Sequence, residues 1–498
     1  MANQLDPHHL VALMCYEFRS GQDGSARRLD PRSDLTSGIV GRYGTNVRTR
    51  PVMDALAHIS VSHPYSQVVA IALQLKPGTK EIRLTIAENQ DVGDSLVNHL
   101  YNIWGKLQAL SDEYAGQRAE AWDGNQRTEE LDEDPMLSPE IPLEVGQPLK
   151  IEIFRDVYHY CLEKQMKRVK KHRTGVGLGG FEQNLSEAVV ALVLALELVF
   201  KLPEKQLTDG EWEEVYWQSM TANEEAKLVL ADSHGLGCEN LARELKGDLP
   251  GDPFQLQRAL EKLISLPHHI ESLFGFAHSP RLRSALQYHM TICAVLGQAQ
   301  IVKLPTSREK WKSFLEDACD EHNRWQGKDA VKLFQKFGLW ERECPVHCEC
   351  GLIQYLQTKH CDSWDNVPAF SYIGVSKLSC SACRVWIEAF NELGGPKFYS
   401  RGSHGKWYWP WGMPMAEGPL KEKMTEKVLD EYITQLEEKG KIKKRAGSDG
   451  SGAIPSGAEH KISITRSQSA KARGDAAVQE SGGDLRGFLK ARVPRLVG

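Results

Sequence analysis

No run of this sequence is long and apolar enough to cross a bilayer. The longest, Ala188 to Phe200, contains Glu197 and falls short of the ~20 residues a spanning helix needs. This argues against a membrane-embedded protein and against a membrane partner. The opening MANQLDPHHL lacks the charged and apolar regions of a signal peptide, and the 11 cysteines form an odd set without framework spacing. Both observations lead us to expect a reducing interior, cytoplasmic or nuclear, rather than a disulfide-stapled secreted fold. Excess positive charge is also missing: 61 Lys and Arg stand against 66 Asp and Glu, a net charge of −5. Any affinity for nucleic acid must therefore come from local patches. No internal repeat is visible, short of a degenerate helical one. What remains, 41% hydrophobic and 26% charged residues over 498 positions, is the composition of a soluble globular chain too long for one ordinary domain.

The most informative stretch runs from Cys344 to Met413. His347 and Glu349 form an H-x-E, and Cys380 and Cys383 form a C-x-x-C. One neutral imidazole and two thiolates suit a zinc ion that keeps a fourth position for water. Leu352, Ile353 and Leu356 recur at helical spacing behind the H-x-E. Cys383, Trp386, Ile387, Phe390 and Leu393 do the same behind the C-x-x-C, until Gly394-Gly395-Pro396. Each ligand set should thus open a helix, where the macrodipole favours thiolate over thiol. Phe370 to Val375 is expected as a buried strand between them. The competing assignment is a zinc knuckle in which Cys344, Cys348, Cys350 or Cys361 closes the fourth position.

These residues resemble the zinc-dependent nucleotide and nucleic-acid deaminase superfamily, whose signature is H-x-E…P-C-x-x-C. The wording VHCE, YIGVSKLSCSAC and RGSHGKWYWPW is similar to its fungal, Orientia-type branch. The resemblance implies that His347, Cys380 and Cys383 are ligands of Zn2+ and that Glu349 shuttles protons. A zinc-bound hydroxide would then attack C4 of cytosine or C6 of adenine. Two departures stand out. Ser379 replaces the proline before the first cysteine, and we expect it to cap the helix instead. Cys348 occupies a position where many relatives carry alanine.

Further along the resemblance, Val68 to Leu75 and Ile82 to Ala87 are β-rich runs joined across Pro77-Gly78, a hairpin signal. Deaminases of this superfamily begin their sheet with such a hairpin and often contact the base or sugar through an Asn at its end. Asn89 holds that place; its alternative role is a cap for the strand or the next helix. The expected fold is a three-layer α/β/α cytidine-deaminase-like core with a mixed sheet, interrupted by a large all-helical insertion. The divisions are an N-terminal helical and loop segment over 1–66, the hairpin over 67–90, the insertion over 91–340 and the zinc-binding part over 341–440. A disordered basic tail follows over 441–498, with 12 Lys and Arg against 5 Asp and Glu. Within the insertion, helices are expected near 97–114, from the Asn184 and Glu187 capping box through Phe200, and near 210–231, 256–265, 281–300 and 307–322.

Lys164 to Arg173 is densely basic and is either a phosphate grip or a solvated helix face, the commoner fate of such runs. The glycines from Gly175 to Gly180 satisfy G-x-G-x-x-G but follow a basic helix instead of a strand, so they are expected to form a plain loop. Between Lys397 and Met413, Arg401, His404 and Lys406 interleave with Trp407, Tyr408, Trp409 and Trp411. In the resembled fold this segment borders the pocket mouth, which makes His404, Trp407 and Trp409 candidates to hold a base and its phosphate. The same aromatics equally suit a core seal. The expected activity is hydrolytic deamination of cytosine or adenine, with single-stranded RNA or DNA as partner. The alternatives are a deaminase of free nucleosides or nucleotides, and a catalytically idle, zinc-stapled interaction protein.

Overall fold

A computed structural model describes residues 5–18, 49–123, 145–173, 199–201, 206–231, 261–279, 282–318, 327–337 and 341–438. The stretch 19–48, the acidic segment from 127 to 144, the glycines of 175–180, most of the apolar run 188–200 and the tail from 441 lie outside the described residues.

A hairpin forms the centre. β1 (Val69–Lys76) pairs antiparallel with β2 (Glu81–Glu88) in a register that sets Val69 opposite Glu88 and Lys76 opposite Glu81. Two more strands complete a mixed four-stranded sheet. β3 (His289–Val295) runs parallel to β2, and the two-residue β6 (Gly374–Val375) runs antiparallel to β1. A separate antiparallel ribbon joins β4 (Ala299–Lys303) to β5 (Glu341–Pro345).

Alternation along β1 decides what covers each face of the sheet. Val69, Ile71 and Leu73, with Ile82, Leu84 and Ile86 of β2, point into one core. That core is filled by α2 (Thr49–Ile59), α3 (Asp94–Asp123), α4 (Gln147–Arg173), α5 (Asp209–Ala231) and α6 (Ser265–His278). Ala70, Ala72 and Ala87 point the other way. Their small side chains let α10 (Cys348–Gln357) lie close to the strands. This second core also takes in α1 (Pro7–Glu17), α8 (Arg308–Ala318), α9 (Gly327–Phe337), α11 (Ser381–Glu392) and α12 (Gly418–Glu438).

Two expectations are corrected. Residues 281–300 are not one helix: a single turn, α7 (Arg283–Leu286), gives way to β3 and then β4. Met290 and Ile292 alternate toward the first core, and the free edge of β2 supplies backbone partners that helical spacing does not reveal. Because β3 belongs to the main sheet, the span 91–340 is not all-helical. The strand expected over Phe370 to Val375 shrinks to β6, since the chain changes partners on the way. Phe370 donates to Leu73, Ile373 to Tyr399, and the Val375 N–H goes to Asp54. Gly374 packs so tightly under α2 that a Cβ would stand 2.2 Å from the Met53 carbonyl oxygen. Gly374→Ala is therefore expected to cost about 1–3 kcal/mol in urea unfolding. An unchanged midpoint would mean that α2 does not press on the strand.

Candidate metal centre

β5 delivers the first donor. The Val346 N–H bonds the Gln298 carbonyl at 2.8 Å, and His347 then stands as the N-cap of α10 without capping it by its own side chain. Its imidazole is thereby left for other use. The vacant cap is filled from the hairpin, where Asn89 Oδ1 accepts the Cys348 N–H at 3.0 Å. In this structure Asn89 caps α10, the helix that carries Glu349. Asn89→Ala is expected to cost about 1 kcal/mol, with Asn89→Asp restoring most of it. Equal chemical denaturation midpoints for wild type and Asn89→Ala would refute the cap.

The other two donors open α11. Cys380 is its N-cap, and its sulfur accepts the Cys383 N–H at 3.4 Å. The capping role expected of Ser379 is thus taken by Cys380. Ser379 turns instead to the 400–404 segment, donating its N–H to Gly402 at 2.9 Å and accepting that of His404 at 3.1 Å.

His347 Nδ1 lies 3.6 Å from Cys380 Sγ and 3.3 Å from Cys383 Sγ, and the two sulfurs are 3.4 Å apart. A tetrahedral ion with bonds of about 2.0–2.3 Å holds its ligand atoms about 3.4–3.8 Å apart. The trio fits such an ion with only small shifts, and the group could hold a metal. No fourth His, Cys, Asp or Glu joins it among the described residues. Burial works against the His347 imidazolium, but Cys380 and then Glu349 outweigh it and lift the imidazole to about 9. Burial likewise pushes the thiols of Cys380 and Cys383 well above their ordinary range. A cation bound at the trio would displace protons from it.

The surroundings of the donors supply further groups. Cys350 is fully buried, and its thiol neighbours the Cys383 sulfur from outside the trio. Trp411 donates its indole N–H to Cys383 Sγ at 3.4 Å, an interaction of the kind that orients a ligand. The Cys348 thiol lies 3.4 Å from Glu349 Oε2. Burial, and then Glu349, raise that thiol far above its usual range, so it stays an S–H donor. Cys348 therefore serves the carboxylate and not the donor trio. Glu349 itself is 4% exposed.

The aromatic segment divides between core and surface. Trp407 is 2% exposed and packs in the second core, which leaves its ring no free face for a base. Trp409 is partly buried and meets Phe337 edge-on at 6.3 Å. His404 is partly exposed, its Nδ1 accepting the Lys406 N–H at 3.1 Å. Burial and then Lys406 lower its pKa, with Glu349 pulling the other way. Tyr408, 47% exposed, stands edge-on to His404 at 5.3 Å, and burial raises its hydroxyl pKa. Strand-like alternation would have singled out Tyr408 over Trp407. Nothing in the sequence marked Trp411 as a partner of the sulfur.

The model of a family described as OTT_1508_deam:-like deaminase matches residues 346–415, which hold His347, Glu349, Cys380 and Cys383. No curated protein and no solved structure matches the chain. Among the described residues no helix is long and apolar enough to cross a membrane. Over those 70 residues the chain is similar to a deaminase family, and the matched stretch is the one that assembles the donor trio.

Proposed function

We propose that this protein is a zinc-dependent hydrolytic deaminase of cytosine or adenine, acting on bases in nucleic acid. The observation that carries the reading is the convergence of His347 Nδ1 and the sulfurs of Cys380 and Cys383 within 3.6 Å, beside a buried carboxylate two residues from the histidine. In this reading the β1–β2 hairpin and residues 341–438 are the two parts of one three-layer deaminase core.

Zinc held by these residues supplies a Lewis acid that brings the pKa of water to about 7. Glu349 then has three tasks. It would take a proton from the attacking water, pass it to the ring nitrogen beside the reacting carbon, and then carry the second proton from the added hydroxyl to the amino group, which leaves as ammonia while the ring C=O forms. Its partner Cys348 holds the carboxylate in place through the S–H, and burial removes competing solvent. His404 and the exposed Tyr408, edge-on to each other at 5.3 Å, would offer an extruded base a stacking face and a polar edge.

The test incubates the zinc-loaded protein with single-stranded RNA and DNA pools and, separately, with free nucleosides and nucleotides. Sequencing of the pools reads C-to-U or A-to-I conversion, and released ammonia reports the small substrates. Conversion in a pool supports the reading. Ammonia from free nucleotides alone reassigns the substrate. Inert protein carrying one zinc per chain overturns it in favour of an interaction protein.

A further inference from the structure

α4 presents a regular buried stripe. Phe154, Val157, Tyr158 and Cys161 succeed one another at helical spacing in the first core. The next positions on that stripe are not apolar. Lys164 is only 8% exposed and Gln165 is buried, and one turn later Arg168 lies partly buried. The described cations of the run Lys164 to Arg173 are thus not a solvated face: the core stripe continues into positive charge.

What meets these cations is more positive charge and neutral acceptors. Arg168 Nη1 donates to Ser265 Oγ at 2.8 Å and lies 3.0 Å from His58 Nε2, while His58 packs on His269 at 4.3 Å between ring centres. Lys167 donates to the Pro64 carbonyl at 3.2 Å and sits over the exposed ring of Tyr65. Lys377 comes from the loop after β6 and contacts Lys164. Arg401 adds its charge against His58 and His269. The charges acting on Lys164 are all positive, and with burial first among the causes they bring its pKa down to about 7. Among the described residues no carboxylate forms an ion pair with Lys164, Lys167, Arg168, Lys377 or Arg401. Lys164 is buried among these cations, Lys167, Arg168 and Lys377 are partly exposed around it and Arg401 is exposed, so an anion held here would meet several donors and supply the counter-charge that the described residues lack.

The same group adjoins the metal centre. Lys377 is three residues before Cys380. Arg401 precedes Gly402, whose carbonyl accepts the N–H of Ser379, the neighbour of Cys380. We infer that Lys164, Lys167, Arg168, Lys377 and Arg401 form a binding site for a phosphorylated ligand, set beside the metal centre and floored by α4. Phosphate suits it because several acceptor oxygens on one multiply charged group can satisfy separate ammonium and guanidinium donors at once. This inference deepens the deaminase reading and rests on it for the ligand's identity: the phosphate belongs either to a nucleic-acid substrate or to a separate polyphosphate.

The test uses the zinc-loaded full chain, its Lys164→Met and Arg401→Gln variants, and Glu349→Gln. Thermal unfolding is followed with and without sodium tripolyphosphate. Anisotropy of a labelled, 5′-phosphorylated single-stranded oligonucleotide is followed over a salt series. Tripolyphosphate should raise the wild-type melting temperature, with a shift at most half as large in each charge variant. For the oligonucleotide, each removed cation should shallow the slope of log affinity against log salt by about 0.7. Displacement of the oligonucleotide by tripolyphosphate assigns the phosphate to the strand, and simultaneous binding assigns it to a separate polyphosphate. Lys164→Met, freed of a buried repulsion, should melt no lower than wild type when no anion is present; if it does not fold, the exposed Arg401→Gln carries the test. Glu349→Gln should respond to tripolyphosphate as wild type does, so a failed deaminase assay leaves this site testable. Tripolyphosphate shifts and salt slopes equal in wild type and both charge variants would overturn the inference.

Discussion

Glutamine in place of Glu349 should lower deamination by about 10²–10⁴-fold, the usual contribution of a positioned acid and base, while metal content and melting temperature stay near wild type. The amide keeps the shape and remains an acceptor for the Cys348 thiol that lies 3.4 Å from the carboxylate. It cannot accept and return a proton. The expected signature is a loss in turnover with substrate affinity preserved, because the change acts on proton transfer and not on the exposed groups that would meet the base. Metal is quantified by elemental analysis and turnover by ammonia release. Full activity in Glu349→Gln would remove this carboxylate from the chemistry.

Cys383→Ser should reduce metal affinity by more than the ~10–100-fold typical of changes outside the ligand sphere. The sulfur sits 3.3 Å from His347 Nδ1 and 3.4 Å from Cys380 Sγ, and no fourth described donor belongs to the trio. Metal loss should also lower stability, since an ion that binds only the folded chain at a hundredfold excess over its dissociation constant contributes about 2.7 kcal/mol. Chelation of the wild-type protein should reproduce the drop, and adding metal back should release protons as the two thiols and the imidazole give way. Cys350→Ala supplies the contrast. Its thiol neighbours Cys383 but stands outside the trio, so this variant should keep its metal. If Cys350→Ala lost metal as completely as Cys383→Ser, the centre would be a closed four-ligand staple and the enzymatic reading would fall.

The His347, Cys380 and Cys383 trio was legible in the sequence because its geometry is local. H-x-E and C-x-x-C fix which side chains share the first turn of a helix, and the apolar spacing behind each motif shows that a helix follows. The hairpin was legible for a similar reason, through two alternating runs about Pro77-Gly78. What escaped notice depends on distant partners. β3 is a strand because the edge of β2 receives it, although its residues also satisfy a helical spacing. Asn89 caps a helix 259 positions away, a pairing that no local turn rule contains. Trp407 and Tyr408 are adjacent aromatics, yet one is sealed in the core and the other faces solvent. Lys164 and Arg168 look like surface charge until Lys377 is brought beside Lys164, and His58 and Ser265 against Arg168.

The short strand β6 has a consequence for how the protein is made. It reaches β1 across most of the chain, and the neighbouring bond from the Val69 N–H to Ser376 Oγ spans 307 positions. Closing a loop of that size costs about 5 kcal/mol of chain entropy. At a ribosomal pace of about 5–20 residues per second, the alanine face of the hairpin leaves the tunnel roughly 15–60 s before the cysteines that will sit above it. During that interval the edge of β1, charged only at Lys76, is open to wrong partners. A fragment cut to the 70 residues of the deaminase match would meet the opposite problem, with its ligands in hand and no sheet to lay them on.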